Sequence, residues 1–260
     1  MHVVETGNAK GKSILFIHGA GVTDWMWKLQ TDNFRDYHCI IPHLPDHGES
    51  NHLELTSQED LAAMLLELIR GKANGGKANV VGHSLGGQLI THMLAIDPDP
   101  LDRAVICSAN FGRMRLLNLT ARPAFYKMSV AMMRWEWVLN AQARQFKLAD
   151  PAMIEGAKKD WRRLTVERLA RMYEVGYYRS AMPEGLEKRA VPSLILAGQK
   201  EVKIVLDSAR KLRAVLPNSK AYFVRDGNHA FIWMKADIVN AAVRAWIENR
   251  PLPAEGLVEA

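Results

Sequence analysis

Val80-Val81-Gly82-His83-Ser84-Leu85-Gly86-Gly87-Gln88 reads as the end of an apolar strand, a sharp turn that carries a serine, and the start of a helix running to Ile96. A serine lifted out of the chain on a strained turn needs neighbours without side chains two positions away on either side. Gly82 and Gly86 meet that steric demand. The turn exposes one hydroxyl. Because a hydroxyl is a weak nucleophile until a base takes its proton, the same reading requires a histidine elsewhere in the chain.

Outward from the turn, short β-branched runs alternate with longer helical patterns. The runs are SILFIH (13–18), HCII (38–41), ANVVGH (78–83), RAVICS (103–108), PSLILAG (192–198) and KAYFVR (220–225). They are near-continuously apolar, as parallel strands buried on both faces are. Helices are expected at 56–71, 85–96, 203–216 and 230–249, with Thr56 and Glu59 as a capping box on the first and Pro251 ending the last. This alternation predicts an α/β fold, a mostly parallel central sheet flanked by helices.

One interval of about 80 residues, 111–190, has no strand signal. Met128, Met132, Trp135, Leu139 and Phe146, then Trp161, Leu164, Arg168 and Met172, fall at helical spacings instead. The interval is expected to be an inserted helical lid that enters and leaves at the carboxyl ends of strands, over the crevice where open α/β sheets bind ligands. Residues 1–110 and 191–250 then form the core, with 251–260 as a C-terminal tail.

Apolar residues make up 48% and charged residues 24% of the 260-residue chain, which excludes disorder and fibrous repeats. No segment has the ~18 uninterrupted apolar residues of a membrane span, and the first residues, MHVVETGNAKGK, hold no apolar leader core. A cytoplasmic location is the expectation. The two cysteines, Cys39 and Cys107, sit in strand-like runs that suit buried thiols. Net charge is +6, and the excess is local: residues 113–189 hold 16 Lys+Arg against 8 Asp+Glu. It reads either as a solvated helical surface with i,i+4 pairs or as a docking face for an acidic partner. With no aromatic-interleaved basic stripe, nucleic acid is not an expected partner.

His229, the only histidine beyond residue 92, follows the last strand run and is the candidate base for Ser84. A carboxylate at a third strand end must orient the ring and offset the imidazolium charge. Glu201, after PSLILAG, is the candidate; Asn110, Asp207 and Asp226 are the other groups near suitable positions. For the oxyanion, the backbone amides of Ala20, in the glycine-flanked stretch after the first clear strand, and of Leu85 are the expected donors. Trp25, Trp27, Met132 and Trp135 are the candidate pocket residues. His43, Asp46, His47 and His52 match no metal-ligand spacing, so neither a metal nor a cofactor is expected.

Together, HGAG (18–21), LPDHGES (44–50), GHSLGG (82–87), LAGQKE (196–201) and GNHAF (227–231) make the chain resemble the α/β-hydrolase superfamily over residues 12–249, in the lid-bearing branch of small esterases, lipases and C–C bond hydrolases. The order serine, acid, histidine is the family's. Glu201 stands where the family usually has Asp, Asp46 where Gly is frequent and His43 where Asp is common; the last two read as changes to a surface turn. Ser84 in place of a nucleophilic aspartate sets the chain apart from the haloalkane dehalogenases and epoxide hydrolases of this fold.

The expected function is serine hydrolysis of small to medium apolar carboxylic esters through an acyl-enzyme. Alternatives on the same fold are a C–C bond hydrolase, a thioesterase, an acyl transferase or a carrier-protein ester esterase. A ligand-binding receptor with vestigial turnover is a reading of another class.

Overall fold

The computed structural model describes residues 1–112, 123–178 and 180–260. Eight strands form one sheet in the order β1-β3-β2-β4-β5-β6-β7-β8. They are β1 (Val3–Gly7), β2 (Ser13–Ile17), β3 (His38–Pro42), β4 (Ala78–His83), β5 (Leu101–Cys107), β6 (Ser193–Gly198), β7 (Ser219–Val224) and β8 (Leu257–Glu259). Strands β2 to β7 run parallel, while β1 and β8 close the two edges antiparallel. Every residue of β2, β3, β4 and β6 is buried, as the unbroken apolar runs require.

The helices are α1 (Lys28–Asn33), α2 (Gln58–Lys72), α3 (Leu85–Ile96), α4 (Pro123–Met132), α5 (Glu136–Gln145), α6 (Pro151–Arg162), α7 (Val166–Tyr173), α8 (Lys203–Val215), α9 (Phe231–Met234) and α10 (Ala236–Ile247). Strand alternation divides the core between the two faces of the sheet. Leu15 and Ile17 meet α2, α3 and α8 on one face. Ile14 and Phe16 meet α1, α10 and part of the 123–178 insertion on the other.

Four expectations shift. The α2 cap is Ser57, whose Oγ accepts from the Asp60 amide at 3.0 Å, one residue beyond the Thr56 box. The single helix expected at 230–249 is α9 and α10, broken at Lys235. Residues 251–260 are more than a tail: Leu257 to Glu259 pair with Val224 to Tyr222, a segment too short to show periodicity in the sequence. The insertion leaves from the carboxyl end of β5 but returns to the amino end of β6, because the two strands are parallel.

Among the described residues, part of the insertion's basic charge is paired with carboxylates of the core or of the insertion itself. Arg171 pairs with Asp46 at 2.6 Å, while Arg163 and Lys159 meet Glu49 at 2.7 and 3.1 Å. Lys158 and Arg162 share Glu136 within the insertion. No helix among the described residues is long and apolar enough to cross a membrane.

Candidate active site

Ser84 sits between β4 and α3 at φ 55°, ψ −115°, a strained conformation for a residue with a side chain. Its amide donates to the Cys107 carbonyl at 2.8 Å and its carbonyl accepts from the Gln88 amide at 3.0 Å, which pins the turn from both sides. A Cβ on Gly82 would lie 2.4 Å from the Gly86 carbonyl oxygen, and one on Gly86 would lie 2.1 Å from the Ile17 carbonyl oxygen. Both glycines are therefore required by close backbone approach. Gly86→Ala is expected to cost about 3 kcal/mol or more of stability, the upper range for overpacking. A urea midpoint equal to that of the unsubstituted protein would contradict this.

The candidate acid and base come from adjacent loops. A Cβ on Gly198 would collide with the Gly227 and Asn228 carbonyls, each 2.6 Å away, so the ends of β6 and β7 close on each other. The Lys200 amide then donates to the Gly227 carbonyl at 2.7 Å. Glu201, with a side chain only 1% exposed, faces His229, which is 47% exposed; His229 Nδ1–H donates to Glu201 Oε2 at 2.9 Å. The other carboxylate oxygen, Oε1, accepts from the Ser108 hydroxyl and from the Gly198 amide. Burial alone would raise the Glu201 carboxyl, but His229 and the Ser108 hydroxyl more than offset it and hold the group below the usual glutamate range.

The other acid candidates lie elsewhere. Asp226 pairs with Lys200 and Asp207 with Lys203 at the surface. Asn110 accepts from Gln88.

Ser84 and His229 line one cavity of about 200 Å³ together with the 19–22 loop; Met26, Phe146, Trp161, Leu164 and Trp233 give it apolar walls. The Ser84 hydroxyl makes no hydrogen bond with the described residues. A Cβ on Gly19 would meet Ser84 Cβ at 3.4 Å, so this loop lies directly against the serine. The amides of Ala20 and Leu85 donate to no other backbone carbonyl among the described residues. Leu85 opens α3, where the helix dipole favours negative charge.

Three buried histidines hold this region. His18 Nε2 accepts from the Leu44 amide at 3.0 Å, and its Nδ1–H donates to the Gly19 carbonyl at 2.8 Å. His47 Nε2 accepts from the Gly21 amide at 2.9 Å, and its Nδ1–H donates to the Pro45 carbonyl. His83 Nε2–H donates to the His229 carbonyl at 2.9 Å, with the two rings 4.7 Å apart. Burial keeps all three neutral: it holds His18 well below 6.5, His47 at about 4 and His83 at about 3. The unfolded chain binds protons on these rings near pH 6.5 while the fold does not, so stability is complete above that pH and falls as pH drops towards 4. By pH 5 the His47 and His83 rings are each expected to cost about 2 kcal/mol, and His18 acts in the same direction. Urea midpoints at pH 7.5 and 5.0 test this, and equal values would contradict it.

The four pocket candidates are not at this cavity. Trp27 is fully buried against Phe16, at 5.2 Å between rings. Trp25 is buried too, and its indole N–H donates to Asp160 Oδ2 at 2.7 Å, which also accepts from Thr23; it ties α6 to the core. Met132 and Trp135 face outward, 42% and 61% exposed. Nor is the Asp46 loop a surface turn. Asp46 is buried, accepts from the Leu55 amide and receives both Nε and Nη2 of Arg171 from α7. His43 donates to Asp24 at 2.7 Å and accepts from the Glu49 amide. Among the described residues, no cluster of three or more His, Cys, Asp or Glu side chains is arranged to hold a metal.

Residues to which sequence reasoning gave no role at the site include Ser108, His18 and His47, and the core walls Met26 and Trp233; the walls Phe146, Trp161 and Leu164 were read only as part of the helical pattern of the insertion. Ser108 left a signal too, standing at the end of a strand run in the region searched for the acid.

Over 258 residues the chain is 23% identical to the (E)-2-((N-methylformamido)methylene)succinate hydrolase of Acinetobacter baylyi, covering 96% of this chain and 95% of that protein. It is also 23% identical to Lipase 3 of a Moraxella species, covering 88% of this chain and 75% of that one. An α/β-hydrolase enzyme from a Medee basin deep-sea metagenome library superposes with a TM-score of 0.74 at 15% identity, over 98% of this chain and 96% of that one. Residues 14–242 match the model of the alpha/beta hydrolase family, and the chain belongs to that family.

Proposed function

We propose that the chain is a serine hydrolase that cleaves carboxylic esters of small molecules, with Ser84 as nucleophile, His229 as base and Glu201 as the orienting acid. The observation that carries this reading is the 2.9 Å contact between His229 Nδ1 and a buried, ionised Glu201, beside a cavity that His229 shares with Ser84.

Ser84 Oγ bonds to the acyl carbon while His229 Nε2 takes its proton. The carbonyl oxygen becomes an oxyanion held by the Ala20 and Leu85 amides. Collapse breaks the C–O bond to the leaving alcohol, which takes the proton from His229. Water then attacks the acyl-enzyme, giving one proton to His229, and the carboxylic acid is released as Ser84 recovers that proton. Glu201 keeps the Nδ1–H tautomer throughout, so Nε2 is free to accept. Helices α4 to α7 act as the lid of this site, and Phe146, Trp161 and Leu164 are its contribution to the cavity wall.

A p-nitrophenyl acyl series from acetate to decanoate tests the reading. Saturable turnover with a burst of p-nitrophenol near one per enzyme is the expected result, falling off at the longest chains because the cavity is small. Absence of turnover across the series would overturn it.

A second reading keeps the acyl-enzyme and changes the bond, to a C–C bond, a thioester or an amide. The full-length match to a hydrolase of an N-methylformamido compound favours it over other variants.

A further inference from the structure

One carboxylate behind the walls of the Ser84 cavity joins the core to the insertion. Asp160, near the end of α6, uses a single oxygen, Oδ2, to accept both the Thr23 hydroxyl and the Trp25 indole N–H, each at 2.7 Å. Val22 and Met26, which flank these donors in the chain, line the cavity, and so do Trp161 and Leu164, which follow Asp160. The contact thus bolts together two stretches of chain that each supply wall residues. Nothing soft lies between them: a Cβ on Gly156 of α6 would sit 2.7 Å from Trp25 Cβ, so the helix backbone rests on that side chain. The Trp25 ring also stands 6.3 Å from that of Trp233, a further wall residue. Thr23 and Trp25 are buried, and a buried donor without its acceptor is costly, so the carboxylate fixes how closely α6 approaches residues 22–26.

We propose that Asp160 is a positioning residue that sets the size of the group admitted beside Ser84: by clamping α6 to residues 22–26 it holds the cavity at about 200 Å³ and selects short acyl groups. It touches no substrate and acts through the four flanking wall residues. This rests on the esterase reading.

The test reads kcat/KM on p-nitrophenyl butyrate and decanoate for the unsubstituted protein, Asp160→Asn, Asp160→Leu and Trp25→Phe. Asparagine can keep its oxygen toward Thr23 and Trp25 and put its NH2 in place of Oδ1, which takes no hydrogen bond from the described residues. Its decanoate-to-butyrate ratio is expected to stay within about twofold of the unsubstituted protein's. Leucine keeps the bulk and removes the acceptor, and the ratio is expected to rise about tenfold through a lower KM for decanoate. Trp25→Phe removes one donor from the other side of the clamp and should raise the ratio about threefold. A ratio unmoved in Asp160→Leu and Trp25→Phe, or both esters falling in step, marks a purely structural tie; it overturns the role of Asp160 and leaves the hydrolase reading intact. A ratio that rises in Asp160→Asn as far as in Asp160→Leu does the same. No turnover of either ester by the unsubstituted protein overturns both.

Discussion

Ser84→Ala is expected to lower kcat/KM on p-nitrophenyl butyrate by about five to six orders of magnitude, the scale on which loss of a serine nucleophile removes covalent catalysis. The fold should barely register the change. The Ser84 hydroxyl donates to no described residue, and alanine keeps the Cβ that already tolerates φ 55° at this turn. A melting temperature within about 2 °C of the unsubstituted protein is therefore expected alongside the lost activity, since deletion of an unpaired hydroxyl removes no hydrogen bond. Activity retained above about one per cent would mean that another nucleophile does the chemistry.

Glu201→Gln should cost about ten-thousand-fold in kcat, although it changes the side chain by one atom. The reason lies in what the two carboxylate oxygens accept. Oε1 takes the Ser108 hydroxyl and the Gly198 amide, and Oε2 takes His229 Nδ1–H. A glutamine that keeps its oxygen toward Ser108 and Gly198 turns its NH2 toward His229 Nδ1. Two donors then face each other, and the ring relieves the clash by moving its proton to Nε2, where it can no longer accept from Ser84. The loss should appear in kcat with KM little changed. A Glu201→Gln protein within about tenfold of full activity would place the orienting acid elsewhere.

Legibility in the sequence followed the range of the interaction. The serine turn was readable because its constraint is local: Gly82 and Gly86 are two residues from Ser84, and the backbone they approach belongs to that turn and to the neighbouring strand. Strands β2 to β7 were readable because strands buried on both faces are apolar throughout. The edge strands β1 and β8 were not, because Val3–Gly7 and Leu257–Glu259 are short and half exposed and carry no period. The buried histidines gave no sign of their role for a related reason. His18 and His47 serve as acceptors for the Leu44 and Gly21 amides, contacts made across 26 residues in each case, and nothing in their spacing announces it. Asp46 finds Arg171 across 125 residues, which turns an apparent surface turn into the tie between the core and α7.

The pocket candidates lie away from the cavity at Ser84 for a different reason. Helical periodicity in the insertion separates apolar from polar faces, but Trp25, Trp27, Met132 and Trp135 were chosen by residue type. Large aromatic residues of that kind fill cores or cap surfaces as readily as they line cavities. Trp25 needed a partner for its buried indole N–H and found Asp160 of α6. The walls at Ser84 are instead Phe146, Trp161 and Leu164 of the insertion with Met26 and Trp233 of the core. That set depends on how α5 and α6 dock, which no local pattern encodes.

The most direct measurement is the intact mass and peptide map of the protein after brief exposure to a fluorophosphonate, with Ser84→Ala and His229→Ala beside it. A single adduct on the peptide containing Ser84, absent in Ser84→Ala and formed at least about a hundredfold more slowly in His229→Ala, is the predicted result, because a positioned base contributes on that scale. An adduct on another residue, or equal labelling of all three proteins, would contradict the assignment of Ser84 as a nucleophile activated by His229.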